Sequence, residues 1–267
     1  MIKVFSFVAS CAGEESRTLR YSDALAAVLA KKAEAIGERI SYRRMTGADL
    51  RIDYCRSCSS CFRQGVCPLD SVDDMPTLKR ALLESDIILF GSPVYLSDLS
   101  GLAKCVIDRL SYWAHRFELV GKVGFAFAVT SNSFGSETAE HMKRFLTYLG
   151  VTTIRSAHAV TTVGHPNVYL EQEMQPELEA IADELLSAWQ DPGAIVTPHQ
   201  EAMLFSRNHL NRNARRRADL IGIRPWNETE VCEARGIADY PSMKELVSQR
   251  KGRSWDEDSV EQSDGNN

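Results

Sequence analysis

No run of the sequence stays apolar for the roughly 20 residues that a helix needs to cross a bilayer. The opening MIKVFSFVASCAGEES also lacks the charged segment, long apolar stretch and cleavage site of a secretory leader. These absences set the expectation of a cytoplasmic protein without membrane contact. Positive charge is not in excess either. Lys and Arg total 31 against 36 Asp and Glu, a formal net charge of -5, so a general attraction to nucleic acid is not expected. Ligand signatures are missing as well. No G-x-G-x-x-G follows the first apolar run and no G-K-S/T occurs, which removes Rossmann-type dinucleotide binding and P-loop nucleotide hydrolysis. The third strand-like run ends in ILFGSP, where a response regulator would carry its phosphoacceptor aspartate. The histidines are scattered and form no H-E-x-x-H, so no metal is assigned to them.

What is present belongs to a globular protein: 44% hydrophobic and 25% charged residues in 267, enough for one large core and an appended part. IKVFSFV reads as a buried strand that stops at the small-residue loop ASCAGEES. From Leu19 to about Ile36, the apolar positions Tyr21, Leu25, Val28, Leu29 and Ile36 recur at helical spacing, and Gly37 supplies a stop. The same alternation continues through RISYRRM, MPTLKRALLES, DIILFGSP, a helix from Gly101 to His115, KVGFAFAVT, SETAEHMKRFLTYLG, TTIRSAHAV and PELEAIADELLSAWQ. Parallel strands need crossover helices that cover both sheet faces, so this order predicts an α/β doubly wound five-stranded parallel sheet. Past DPGAIVTP the signals are helical, and the end DEDSVEQSDGNN is acidic and polar. The expected division is therefore a sheet domain over 1–190, a helical C-terminal extension over 191–254 and a disordered acidic tail over 255–267.

An open parallel sheet holds its ligand beyond the carboxyl ends of the strands. The loop after the first strand offers Ser10, Ser16, Arg17 and Thr18 at a helix start, which suits either a phosphate or a simple N-cap. The third strand's loop, GSPVYLSDLSGLAKCVIDRL, sets the turn with Pro93 and supplies an aromatic face with Tyr95. Its Gly101 lets a helix begin beside a flat ring. TSNSFGSET places small residues and hydroxyls at the same edge.

Three runs carry a resemblance: DDMPTLKRALLESDIILFGSPVYLSDLSGLAKCVIDRL, S-x5-S-R-T in the first loop, and VTSNSFGSETAEHMKRFLTYLG. Over roughly residues 1 to 190 the chain resembles the NAD(P)H-dependent FMN reductases of flavodoxin-like fold. The resemblance implies FMN, its phosphate held by Ser10, Ser16, Arg17 and Thr18. The isoalloxazine would lie on Pro93, Val94, Tyr95, Leu96 and Ser97, with Ser131, Asn132, Ser133 and Gly135 on its other side. It further implies NAD(P)H as co-substrate, a small-molecule electron acceptor such as a flavin or quinone, and a homodimer or homotetramer. No side chain is named as catalytic, because the cofactor carries the chemistry. The first loop departs from the family's usual reading: it is one residue longer and bears Glu14 and Glu15, which weaken phosphate binding unless they face solvent.

Cys55, Cys58, Cys61 and Cys67 follow the spacing C-x2-C-x2-C-x5-C, with Pro68 next. That is close to the bacterial ferredoxin run. It also resembles the compact motif of the iron-sulfur flavoproteins, which implies a 4Fe-4S cluster near the flavin and an electron carrier served by a ferredoxin-type partner. Structural or free thiols, zinc and a regulatory disulfide remain open for the same residues, and a flavin-free binding module remains open for the chain. The remaining Cys11, Cys105 and Cys232 read as buried small hydrophobes. Asp108 and Arg109 read as members of structural ion pairs. The basic run RNHLNRNARRR, 207 to 217, reads as a solvated helix face, with the NADPH phosphate, an acidic partner or a second subunit as its other uses. In some reductases of the family a tryptophan-bearing tail covers the active site, which would give Trp226 that place.

Overall fold

The computed structural model describes residues 1–161 and 168–255, apart from the side chains of 168–173. The acidic tail therefore lies outside the described residues from Asp256 onward. β1 (Ile2–Val8) is buried at every position except Lys3, as a central parallel strand should be. α1 (Arg17–Ala35) starts where the Ser16 hydroxyl accepts from the Leu19 amide at 3.2 Å. β2 (Ile40–Thr46) pairs with β1 in parallel, Ile2 opposite Ile40. The short α2 (Ser60–Gln64) and then α3 (Met75–Glu84) lead to β3 (Ile87–Tyr95), which lies on the other side of β1.

β4 (Asp98–Leu99) folds back on β3, and α4 (Gly101–Leu110) follows, running on into a tighter turn over Ser111–His115. β5 (Val123–Thr130) and α5 (Gly135–Tyr148) come next. β6 (Thr152–Thr153) and β7 (Ala157–Val160) both pair in parallel with β5, and α6 (Val168–Gln190) closes the unit. The path β2-β1-β3-β5-β6 is the flavodoxin-like strand order, with the fifth position shared by two short strands. The single strand expected for TTIRSAHAV is thus split. Its middle leaves the sheet where Arg155 reaches Glu184 of α6 at 2.8 Å and Ser156 bonds Glu140 of α5.

Two apolar layers hold the helices to the sheet. Phe5, Phe7, Ile88 and Phe90 face Leu78, Leu82, Val106 and Met142 on one side. Val4, Leu89, Phe125 and Phe127 face Leu25, Leu29, Ile181 and Leu185 on the other. Each such side chain contributes about 1.5–3 kcal/mol through burial. Among the described residues no helix is long and apolar enough to cross a membrane.

Beyond Gln190 the chain is helical, as expected: α7 (Pro198–Ile221), α8 (Asn227–Ala234) and α9 (Met243–Gln249). A capping box starts α7, with Thr197 accepting from the Gln200 amide and Gln200 from the Thr197 amide. These helices share a third apolar cluster with Phe117 and Val120 of the sheet unit, filled by Leu204, Met243, Leu246 and Trp255. The Trp255 indole donates to the Phe117 carbonyl at 3.1 Å. Its ring lies 4.8 Å from the Arg235 guanidinium and 4.2 Å from that of Arg250. Arg235 in turn bonds Glu118 at 2.8 Å.

Trp255→Ala should remove about 3–5 kcal/mol of stability, the usual cost of emptying a tryptophan site. Urea denaturation followed by circular dichroism measures it, and an unchanged midpoint would show that the third cluster stands without the indole.

Candidate cofactor site and the cysteine segment

Three loops meet at the carboxyl edge of the sheet. The first runs from Val8 to Arg17 and is held by backbone bonds: Ala9 N–H to the Gly91 carbonyl at 2.8 Å, and Gly47 N–H to the Ser10 carbonyl at 2.9 Å. Ser10, Ser16 and Thr18 are all buried. The amides of Arg17 and Thr18, at the start of α1, have no intrahelical acceptor and add the positive end of a 19-residue helix. The Arg17 guanidinium donates to the Thr161 hydroxyl at 3.0 Å, across the sheet at the end of β7. The extra carboxylates face outward. Glu14 accepts from Arg44 at 3.0 Å, Glu15 lies 3.6 Å from Arg20, and the two side chains are 78% and 88% exposed. The condition under which they spare a phosphate is met.

Pro93 to Ser97 form the second loop, and here the structure adds a hairpin. Val94 pairs with Leu99 and Tyr95 with Asp98, while Leu96 and Ser97 between them have φ of 46° and 69°. A two-residue hairpin turn demands that left-handed geometry, which usually selects Asn or Gly. Ser100 fixes the base of the hairpin: its hydroxyl donates to the Ala9 carbonyl at 2.7 Å and accepts from the Ala103 amide at 3.2 Å. His141 of α5 approaches Asp98 at 3.4 Å. At Gly101, where α4 begins, an added Cβ would meet nothing within 4 Å, so the space beside the hairpin is open.

The third loop is Ser131 to Gly135. The Thr130 hydroxyl donates to the Ser133 carbonyl at 3.0 Å and leaves Ser131, Asn132 and Ser133 exposed. Gly135 is required by contact, because a Cβ there would come within 2.7 Å of the His158 ring. Sequence reasoning passed over Phe134, which sits at φ 61° and is 46% exposed, and over Ser100 and Thr161. A large apolar residue inside SNSFGS was the available signal for the first, and the Ser-Gly pair at a helix start for the second. Tyr95 at 57% exposure, Leu96 at 100% and Phe134 thus leave uncovered apolar surface on this edge. Cys11, expected to be buried, is exposed in the first loop, whereas Cys232 is buried and Cys105 half-buried.

The cysteine segment lies along α4. Cys55, Cys58, Cys61 and Cys67 line one cavity of about 550 Å³, together with Asp108 and Ser111. Those two residues lie toward the far end of α4, whose first residue stands at the hairpin, about 10–15 Å away along the helix axis. Cys55 and Cys58 are exposed, and Cys61 and Cys67 are half-buried. Burial pushes the Cys61 thiol up, and the charges of Cys67 and Cys55 add to that. Hydrogen bonds from the side chain and amide of Ser60 pull Cys58 down. Ser57 and Ser59 both have positive φ, which bends the segment around the cavity. Among the described residues no three His, Cys, Asp or Glu side chains are gathered to hold a single metal ion. All four cysteines border the one cavity.

Arg109 ties down both ends of this segment. From α4 it donates to the Asp53 carbonyl at 2.9 Å on the leading side and to Asp70 at 2.8 Å on the trailing side, and it is paired with Asp73. Neither the Arg109 nor the Asp73 side chain has any solvent exposure. Burial pushes the Asp73 carboxyl up, but hydrogen bonds from Arg109 and from the Asp53 and Met75 amides outweigh it and hold the group below the ordinary carboxylate value. Lys79 also pairs with Asp70. Trp226 is not at the flavin-like loops. It precedes Asn227, whose side chain an added Cβ at Gly65 would strike at 2.6 Å, so it borders the end of α2.

Comparison with known proteins follows this geometry. The model of the NADPH-dependent FMN reductase family matches residues 2–165. An iron-sulfur flavoprotein of Archaeoglobus fulgidus is 35% identical over 105 residues, 39% of this chain and 47% of that protein. Another, of Methanocaldococcus jannaschii, is 34% identical over 138 residues, 51% of this chain and 67% of that protein. The chain thus spans about half the length of the first relative and two thirds of the second. Among solved structures, a flavone reductase superposes with a TM-score of 0.54 at 14% identity, covering 74% of this chain and 69% of its own. The apo form of an NADH:FMN oxidoreductase gives 0.52 at 16%, with 69% and 88% covered. At such identities these likenesses concern the fold.

Arg109→Leu should cost about 3–5 kcal/mol, because it strands buried Asp73 without its cation. Chemical denaturation at neutral pH checks this, and a loss under 1 kcal/mol would remove Arg109 from its place as the clamp. Asp73, with its folded pKa depressed, contributes stability that is complete above the unfolded value of about 3.9 and fades as pH falls through the folded one. Asp73→Asn should therefore be less stable than the native chain at pH 7, with the gap narrowing on acidification. A gap that widens in acid would contradict the assignment.

Proposed function

The chain belongs to the NADPH-dependent FMN reductase family, and from that premise we propose that it is a cytoplasmic oxidoreductase working through FMN seated on the carboxyl edge of the sheet. Bound there, FMN would accept hydride from NADH or NADPH and release the electrons to a small-molecule acceptor, a flavin, a quinone or another compound. The observation that carries this reading is the uncovered apolar surface of Tyr95, Leu96 and Phe134 on loops that follow β3 and β5 at the carboxyl edge, where the first loop's Ser10, Ser16 and Thr18 also lie. Ser10, Ser16 and Thr18, with the free amides of α1, would hold the phosphate, and Arg17 offers the nearest cation once it leaves Thr161. Pro93 to Ser97 would support one side of the ring system and Ser131, Asn132, Ser133 and Gly135 its margin. The hairpin, braced by Ser100, would set the ring's position, so that donor and acceptor could stack on a preset face. Residues 1–190 form the flavin-binding unit in this proposal, 191–254 an appended unit, and the working assembly is a homodimer or homotetramer.

A second reading is favoured by the cavity that all four cysteines share. Cys55, Cys58, Cys61 and Cys67 would ligate a 4Fe-4S cluster, making the chain an electron carrier in the manner that the names of its relatives suggest. The clamp through Arg109 supports it by fixing the span that the ligands must keep. Anaerobic purification with flavin and iron quantified decides between the two. Flavin without iron leaves the reductase alone, about four irons per chain establish the carrier, and a chain retaining neither in equilibrium dialysis against FMN would be a binding module that keeps only the fold.

Tyr95→Ala should weaken FMN by about 0.5–1.5 kcal/mol beyond the lost contact area, and Phe134→Ala by a similar amount. Fluorescence titration of the apoprotein with FMN measures both. Native affinity in the tyrosine variant would remove Tyr95 from the site.

A further inference from the structure

α2 has little of its own to stand on. It is five residues long, Ser59 ahead of it gives no side-chain cap, and none of its residues is fully buried. A turn of that length does not hold by itself in water. Yet it carries Cys61, which packs on the core together with Phe62 while both are only partly buried. Further support comes from the extension. Asn227 and Glu228 are the first two residues of α8. The Asn227 side chain covers Gly65, the left-handed residue that ends α2, where an added Cβ would meet it at 2.6 Å. The Glu228 carboxylate lies 2.7 Å from the His115 imidazole, and that ring meets the Phe62 ring at 5.0 Å, edge to face. Two adjacent residues of α8 thus bear on the end of α2 and, through His115, on its middle.

The rest of α8 is anchored elsewhere. Thr229 and Cys232 are buried, the Cys232 thiol donates to the His115 carbonyl at 3.2 Å, and Arg235, just past the helix, bonds the Arg116 carbonyl and Glu118. Ahead of Asn227 the hold is weaker: no side chain caps the helix, and the link from α7 is exposed at Gly222, Ile223, Arg224 and Trp226. An uncapped start beside an exposed link is where a helix opens first. We infer that Asn227 and Glu228 are positioning residues for the cysteine segment, forming a latch on α2 that sets how far solvent reaches Cys61. Closed, the latch keeps Cys61 half-buried while Cys55 and Cys58 stay exposed. Open, α2 loses its contacts with α8 and Cys61 becomes as accessible as its neighbours. Thiol chemistry in the sheet unit is thereby governed by a part of the chain beyond residues 2–165, which match the family. The inference stands on these contacts alone, whether the segment holds a cluster, a disulfide or free thiols.

Alkylation of the full-length chain with N-ethylmaleimide, resolved site by site in a mass spectrometer, tests it. In the native chain Cys55 and Cys58 should react about tenfold or more faster than Cys61. In Asn227→Ala combined with Glu228→Ala, and separately in His115→Gln, Cys61 should quicken about tenfold and amide exchange over residues 60–65 should quicken with it. Cys232 should keep its native rate in both variants. It is the control within the molecule, because it is buried under the same helix and reacts only if the whole of α8 lifts. Glu230→Ala, which removes the ion pair with Arg224, should change none of these rates. If the purified chain carries iron, its loss to a chelator replaces alkylation as the readout and should quicken in the same variants and not in Glu230→Ala. Native Cys61 reacting as fast as Cys58, or unchanged Cys61 alkylation, amide exchange or iron loss in both variants, would overturn the inference. So would Cys232 quickening as much as Cys61, which would make the two residues supports of the extension as a whole, or an equal effect in Glu230→Ala.

Discussion

A buried guanidinium organises the half of this molecule that the sheet does not. Arg109 leaves α4 with no exposed surface and spends its donors on a carbonyl before the cysteine segment and on two carboxylates after it. A loop of that length has little apolar material of its own, so its ends would otherwise drift. Desolvating one cation and Asp73 costs several kcal/mol, and the return comes through geometry: the two ends of the cysteine segment are fixed relative to α4. Because α4 also begins at the hairpin of β3 and β4, the same helix borders the carboxyl edge of the sheet at one end and the thiol cavity toward the other.

That arrangement separates two kinds of chemistry in one chain. The carboxyl edge of the sheet offers hydroxyls, free amides and an apolar rim, with Glu14 and Glu15 turned away to Arg44 and Arg20. The far end of α4 offers sulfur, and the C-terminal helices are seated there through Asn227 and Glu228. The extension lies beyond the residues that the family model matches. Its third apolar cluster, centred on Trp255, makes it a continuation of the core.

The alternation of strands and helices was legible because the central strands β1, β3 and β5 are largely apolar and the helices packed on the sheet keep their 3.6-residue stripe, so period alone distinguished IKVFSFV from the stretch after it. The loops of the carboxyl edge were legible through their composition, GSPVY and TSNSFGS above all. The hairpin was not, because Leu96 and Ser97 occupy a turn that normally announces itself with Asn or Gly. The break in the fifth strand was hidden for a different reason: it depends on Arg155 finding Glu184 and Ser156 finding Glu140, contacts that no local window contains. Arg109 reads locally as one more helical charge, and its partners lie 36 and 39 positions away.

The split fifth strand has a consequence for how the molecule behaves in company. An unbroken outer strand presents a continuous ladder of unsatisfied amides and carbonyls on which another chain can grow. Here one margin is interrupted between Thr153 and Ala157, and the opposite margin, β2, displays Arg43 and Arg44. Both borders are poor templates for lateral polymerisation, so the sheet is guarded against fibril growth at both sides.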